Sequence, residues 1–492
     1  MPSLWLDHVA GHRGAVTGRS WDERGRYDTV VVGAGVTGLI LGLLLARAGQ
    51  HVAVVEARTI GAVTTGNTTG KVSVLQGTRL AEIGRRHAVH ILRSYVEGNL
   101  EGQQWLLRYC HDREIPVGTA SDFTFAQTES GTDAVRAQYT AARSAGLPVR
   151  LVPELDIPVP HVDAVTIDDQ AFLDPMPVLH TVARDVITHG GDVFEHRRVT
   201  AVRTLVRFHV LSTPDGDIEA RRVVLATGTP ILDRGGFFAR LKAERSYAAA
   251  FRVPGGAPGG MYLTADQPTR SLRPADDGRV LVVGGNGHDV GRSTSPQAAV
   301  DDLLAWTGRH FPGATPTHRW SAQDYSSLNA LPYVGPLVPG SDGILVATGY
   351  GKWGLSNGVA AALALAGRIL GGHMRWAEAF QSYSPTQLFD LPAVVKANGE
   401  VAREMAAGWG DALVGRQRGK GRARIVREGL LPVGEYTSNG HTERVCAVCP
   451  HLGGVLRWND AEASWDCPLH GSRFTAGGTL LEGPATTDLR RL

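Results

Sequence analysis

Apolar positions in the first part of the chain gather into short continuous runs bounded by glycine, not into strict alternation. "TVVV" (29–32) is β-branched and apolar, as suits a strand buried on both faces. The turn "GAGVTG" separates it from "LILGLLLARA" (39–48), which is long and apolar enough for a helix that Gly49 ends. "VAVV" (52–55) is the next strand. Strand, glycine turn, helix and strand in that order predict a βαβ unit on a parallel sheet.

Helical spacing returns around 85–110 and again from Val178 to a glycine pair. "VRFHVLSTPDGDIEARRVVLATG" alternates through a Pro-Asp-Gly turn into a buried strand at 223–226. Between about 245 and 330 the pattern is strand-like, which predicts an antiparallel sheet inserted over the main fold. A helix after "ATGYGKWGLSNG" closes the large domain near 385. From about 425 the texture changes to short strands with "NG", "ND" and "GG" turns, a separate small all-β domain.

The chain of 492 residues has room for about three domains at roughly 150 residues each. A net charge of +2 gives no reason to expect nucleic acid or an anionic membrane as partner. The basic, Gly-rich run 415–427 is the exception, and it reads as a solvated linker. Cys110, Cys446, Cys449 and Cys467 leave no pairs for a distributed disulfide framework, which points to a reducing compartment. The start of the chain lacks a signal-peptide pattern, and glycines interrupt the most apolar stretch, so no transmembrane segment is expected. The expected location is cytoplasmic.

Gly33, Gly35 and Gly38 stand where a dinucleotide-binding turn needs them. The first permits the tight turn, the second lets a pyrophosphate approach the backbone, and the third allows close helix–strand packing. Glu56, ending the second strand, is placed to accept ribose hydroxyls. NAD and FAD both use this unit. Two further strands ending in small-residue turns, "VVLATG" to Gly228 and "ILVATGYGKWGLSNG" from Ile344, favour flavin, because the second opens a helix whose dipole suits a reduced flavin's charge.

Near the end stands "CPHLGGVLRWNDAEASWDCPLHGSRF". Cys449-x-His451 and Cys467-x-x-His470 match the Rieske pattern, two cysteines on one iron and two histidines on the other. Cys446, Cys449, Cys467 and His470 would also make a Cys₃His zinc site, but that leaves His451 and the glycine loops without a role. The [2Fe–2S] reading is preferred, with Cys446 a small buried neighbour.

These motifs, with "TTGNTTGKVSVLQG", "ERSYAAAFRV" and "WSAQDYSSLNALPYVG", resemble the FAD-dependent oxidoreductases of the D-amino-acid oxidase and glycine oxidase type. In particular they resemble bacterial members that carry a C-terminal Rieske domain. The resemblance implies an α/β fold: a Rossmann-like FAD-binding domain with an inserted antiparallel-sheet substrate domain, plus a small all-β Rieske domain. The expected boundaries are 1–410, a basic linker at 411–424, and 425–492, with the substrate-covering sheet at roughly 240–330 and parts of 85–165. It further implies that Val199 contacts adenine through its backbone, that Thr68, Thr69 and Lys71 line the ribityl or ring face, and that residues from Gly349 to Gly354 approach the pyrimidine edge. Many Rieske proteins join their two loops by a disulfide; here those positions read Gly454 and Leu469, so no such clamp forms. A potential below the top of the Rieske range, roughly −150 to +300 mV, is expected.

The activity so implied is oxidation of an amine or amino-acid-like small molecule, with electrons exchanged between FAD, the cluster and an external donor or acceptor, a protein or a quinone. Flow in the reverse direction suits the same residues. Arg245 is the candidate for a substrate carboxylate and Lys352 for a cation near the reacting flavin atom. Tyr247, His288, Trp320, Tyr325, Tyr350 and Trp353 come from segments expected to cover the flavin. A relay without its own organic substrate, and a redox sensor, are the other readings of these residues.

Overall fold

The computed structural model describes residues 2–10, 19–384, 391–414 and 422–492. Strand Arg26–Val32 lies between Val52–Val55 and Gly216–Leu225, parallel to both. Ile344–Thr348 and Asp192–Phe194 extend the parallel array on either side, and Tyr333–Pro336 closes one edge antiparallel. The strands are apolar throughout because each face meets a different core. Val31, Val54, Val224 and Leu345 pack with helices Val36–Arg47 and Gly354–Ile369. Their neighbours Val30, Ala53, Val223 and Val346 pack with Val202, Leu211 and Phe237. The C-terminal ends of the parallel strands run into Gly33, Glu56, Ala226 and Gly349, where ligands bind in open α/β sheets.

A second sheet of nine strands covers this end. Its long strands Leu241–Arg252, Val280–Asp289 and Thr315–Ser327 are antiparallel, as expected. It is nevertheless mixed, because Met261–Thr264 pairs in parallel with Gly118–Ala126, which arrives from an earlier chain segment. Along these long strands the side chains alternate between two destinations, and the site depends on that alternation.

The last domain stacks a three-stranded sheet, Ala423–Glu428 to His441–Cys446, on a four-stranded one, Arg457–Asn459 to Leu480–Glu482. Trp465 and Phe474, both 0% exposed, fill its core. Helix Leu391–Val414 occupies 411–414 of the expected linker, and the strand beginning at Ala423 takes 423–424. The rest of that linker, 415–421, lies outside the described residues. The helix itself was not foreseen. Val401, Met405 and Trp409, one turn apart, pack on the core of the last domain. Asn398 on the same helix donates to Ala239 O of the large domain at 3.0 Å, so the helix splints the two.

Candidate functional site

A cavity of about 180 Å³ opens at the strand ends, lined by Gly33, Gly35, Glu56, Val199, Gly228 and Gly349 among others. Gly33 has φ +109°, and a β-carbon there would stand 2.6 Å from Ala226 O. Gly35 is the N-cap of the following helix and supplies no side-chain acceptor of its own. Val36 N reaches only the hydroxyl of Thr65 at 3.2 Å, a neutral acceptor at a helix start that suits an anion. Gly38 sits beneath the turn, where a β-carbon would stand 1.9 Å from Gly33 O. Gly38→Ala is therefore expected to cost about 3 kcal/mol, the upper end of overpacking, and to weaken FAD binding at least tenfold. Thermal melts and fluorescence titration check this, and wild-type values for both would refute it. Glu56 accepts from Ala34 N at 2.9 Å and Arg58 N at 2.8 Å. Burial raises its pKa, and those two N–H groups oppose the rise.

A second cavity of about 230 Å³ shares Val36, Thr64, Thr65, Asp324 and Gly354 with the first. Thr68, Thr69 and Lys71 line it, and the exposed Lys352 stands at its mouth. Lys71 is buried. Its Nζ donates to Tyr262 O at 2.8 Å and lies 3.6 Å from Asp122, and burial lowers its pKa against the pull of that carboxylate. Two carboxylates not anticipated from sequence also line the cavity, Glu244 and Asp324. Burial raises the Asp324 pKa, opposed by the backbone N–H groups of Tyr325 and Lys352. Trp353 lines this cavity and Tyr350 the first, whereas Trp320 is buried and donates to Asn67 O at 2.9 Å. Tyr247 also lines the second cavity, and its hydroxyl lies 3.1 Å from His288 Nε2.

Arg245 is not at this cavity, and its sequence-based role is corrected. Glu244 and Ser246 face the cavity, so the residue between them faces the other way. Its guanidinium, in a side chain 4% exposed, pairs with Glu462 and with Glu482 at 3.2 Å, both in the last domain. Arg473 joins the same group, 2.6 Å from Glu482, 2.8 Å from Glu462 and 3.0 Å from Asp466. The neighbouring strand obeys the same alternation. Ser321 donates to Glu462, Gln323 Nε2 to Gly471 O at 2.8 Å, and Tyr325 Oη to Gly483 O at 3.2 Å.

Cys449 and Cys467 are each 2% exposed, with their thiols hydrogen-bonded to one another. That bond lowers the Cys449 pKa to about 7 against the opposing effect of burial, while Cys467 is raised by the same bond and by burial. The His451 and His470 rings lie 5.1 Å apart at 85°. His470 Nδ1 is buried without a hydrogen-bond partner, and burial lowers its pKa to about 4, so the ring is neutral at pH 7 and its Nδ1 is free for a metal. His451 Nε2 donates to Asp233 at 2.7 Å, which leaves Nδ1 for a metal. Among the described residues no three His, Cys, Asp or Glu side chains can hold one ion together. A binuclear cluster asks only two residues per iron. Cys446 is partly exposed on its strand, not buried as expected from sequence. Gly454 faces Leu469: a β-carbon at 454 would stand 2.6 Å from Leu469 Cδ1. Packing occupies the place of a disulfide.

Residues 28–368 match the family described as FAD dependent oxidoreductase (DAO). The chain belongs to that family. Residues 417–492 of this DAO-family protein match the Rieske [2Fe-2S] domain. It is 26% identical to the Rieske 2Fe-2S iron-sulfur protein YhfW of Bacillus subtilis (strain 168), over 94% of this chain and 93% of that one. Its fold resembles glycine oxidase from Geobacillus kaustophilus (TM-score 0.61, 20% identity), covering 73% of this chain and 98% of that one. L-proline dehydrogenase from P. horikoshii is similar in fold (TM-score 0.59, 14% identity), again over 73% and 98%. FAD and a [2Fe–2S] cluster are the cofactors of these two domains. The helix start with its cavity fits the first, and the thiol pair with the unpartnered His470 Nδ1 fits the second. No described helix is long and apolar enough to cross a membrane.

Proposed function

We propose that this protein oxidises a small amine or amino-acid-like molecule in the cavity bounded by Thr69, Glu244 and Lys352, and exchanges the electrons with its own Rieske centre and an external partner. When bound, FAD supplies hydride acceptance and the cluster supplies one-electron transfer. The observation that carries the reading is the run 227–238. Thr227, Gly228 and Ile231 line the nucleotide cavity, while Asp233 holds His451 and Phe238 packs against both ligand histidines at 6.0 and 5.3 Å. The histidine edge of the cluster site thus turns toward the FAD domain, and holding both groups in one chain removes an encounter step.

Within the cavity, the exposed Lys352 at the mouth is the cation for a substrate carboxylate, since Arg245 is engaged elsewhere and Lys71 is paired with Asp122. Glu244, which accepts from Ser326 Oγ at 2.7 Å, suits an ammonium group. Both assignments favour a zwitterionic or aminated substrate, in line with the names of glycine oxidase and L-proline dehydrogenase among proteins of this fold. The test is anaerobic bleaching of the flavin against amines, amino acids and reduced nicotinamides. An amine should bleach it, with reduced-cluster EPR signal following. Bleaching by nicotinamides alone would favour a relay, and no bleaching by any compound would favour a sensor.

A further inference from the structure

The first cavity is not built by the FAD domain alone. Leu481, Glu482, Gly483, Ala485 and Thr486, from the last strand of the Rieske domain and the loop after it, line it together with Gly33 and Glu56. We infer that this segment, 481–486, is an outer wall of the FAD site, so that bound FAD touches both domains and is retained by docking of the Rieske domain.

Three contacts fix the wall. Arg198, which itself lines the cavity beside Val199, donates to Leu480 O at 3.2 Å. Tyr325, also on the cavity, donates to Gly483 O at 3.2 Å. Glu482 is pinned by Arg473 and Arg245 at 2.6 and 3.2 Å. From the far side, Ala485 N donates to Ser472 Oγ at 3.0 Å, and Ser472 O accepts from Cys467 N at 2.8 Å. The wall therefore joins the nucleotide cavity at one side to a cluster ligand at the other. By linkage, whatever FAD gains from the wall, docking of the Rieske domain gains from FAD. This goes beyond the presence of the two cofactors, and it holds whatever the substrate is.

Thr486→Trp in the full-length holoprotein tests it, because the indole would fill the cavity from the Rieske side. Thr487→Trp, at the exposed neighbour that does not line the cavity, is the control. FAD affinity of the deflavinated protein, read by fluorescence titration, should fall at least tenfold in Thr486→Trp and stay within twofold in Thr487→Trp, with the cluster EPR signal kept in both. Equal affinities in wild type and Thr486→Trp, or equal losses in the two variants, would overturn the inference. Should Thr486→Trp fail to fold, hydrogen exchange on wild-type protein decides. FAD addition should slow exchange at 481–486, and unchanged exchange there would refute the shared wall.

Discussion

Cys467→Ser and His470→Ala should each abolish the visible and EPR spectrum of the [2Fe–2S] centre while leaving FAD bound. By the ligand assignment each removes one of two protein ligands from one iron, and among the described residues no third Cys or His side chain stands with the remaining ligands. Cys446, the nearest in sequence to Cys449, is partly exposed on a strand and lies outside the buried group that holds Cys449 and Cys467. FAD persists because the glycine turn, Glu56 and Val199 lie in the FAD domain, and the 481–486 wall contributes none of the substituted ligands. Cys446→Ser is the decisive control. It should leave the iron spectrum intact, whereas a Cys₃His zinc site would need that sulfur. Iron and sulfide analysis alongside EPR checks all three variants, and a Cys467→Ser protein with wild-type iron content would refute the ligand assignment.

Local signals carried the parallel sheet and the glycine turn and marked Cys449, His451, Cys467 and His470 as candidate ligands, because each depends on neighbours within a few residues. Gly33 and Gly38 are legible since backbone geometry demands small residues there, a positive φ at the first and a carbonyl 1.9 Å from a β-carbon at the second. Gly35 is legible only from the motif. What was illegible depends on which side of a strand faces which domain. Arg245 reads as a carboxylate ligand until it is paired with Glu244 and Ser246. Alternation then sends it to the opposite face, a constraint present in "ERSY" but without direction until the Rieske domain is docked. Ser321, Gln323 and Tyr325 follow the same rule against Ala322 and Asp324. Helix Leu391–Val414 did leave a trace in the spacing of Val401, Met405 and Trp409, though glycines at 399, 408 and 410 dilute it. The loop 481–486 left none, because nothing in its composition marks it as facing a nucleotide.

Arg245→Ala is expected to weaken docking of the Rieske domain by about 3–5 kcal/mol, the usual cost of removing one partner from a buried ion pair. Glu462 and Glu482 would keep Arg473 as their one cation, with Ser321 still donating to Glu462, at a point where Arg245 is now 3% exposed. In the wild type burial alone would raise the Glu462 pKa, but the charges of Arg473 and Arg245 outweigh it and hold the carboxyl well below its usual range. Its contribution is thus fully present above the ordinary carboxylate pKa and is lost only as pH falls through the depressed value. The Glu462 contribution to wild-type docking should be flat from pH 5 to 9. Without Arg245 one of the two lowering charges is gone, the Glu462 carboxyl titrates higher, and protonation relieves the unpaired charge. The deficit of the variant should therefore be largest at pH 7 and shrink toward pH 5. Urea-dependent separation of the domains, followed by small-angle scattering at both pH values, measures it. The same variant at pH 7 should transfer electrons from flavin to cluster more slowly in stopped flow, since the undocked state moves the histidine edge away from Asp233 and Phe238. A urea profile matching wild type at pH 7 would show that Arg245 does not hold the domains together.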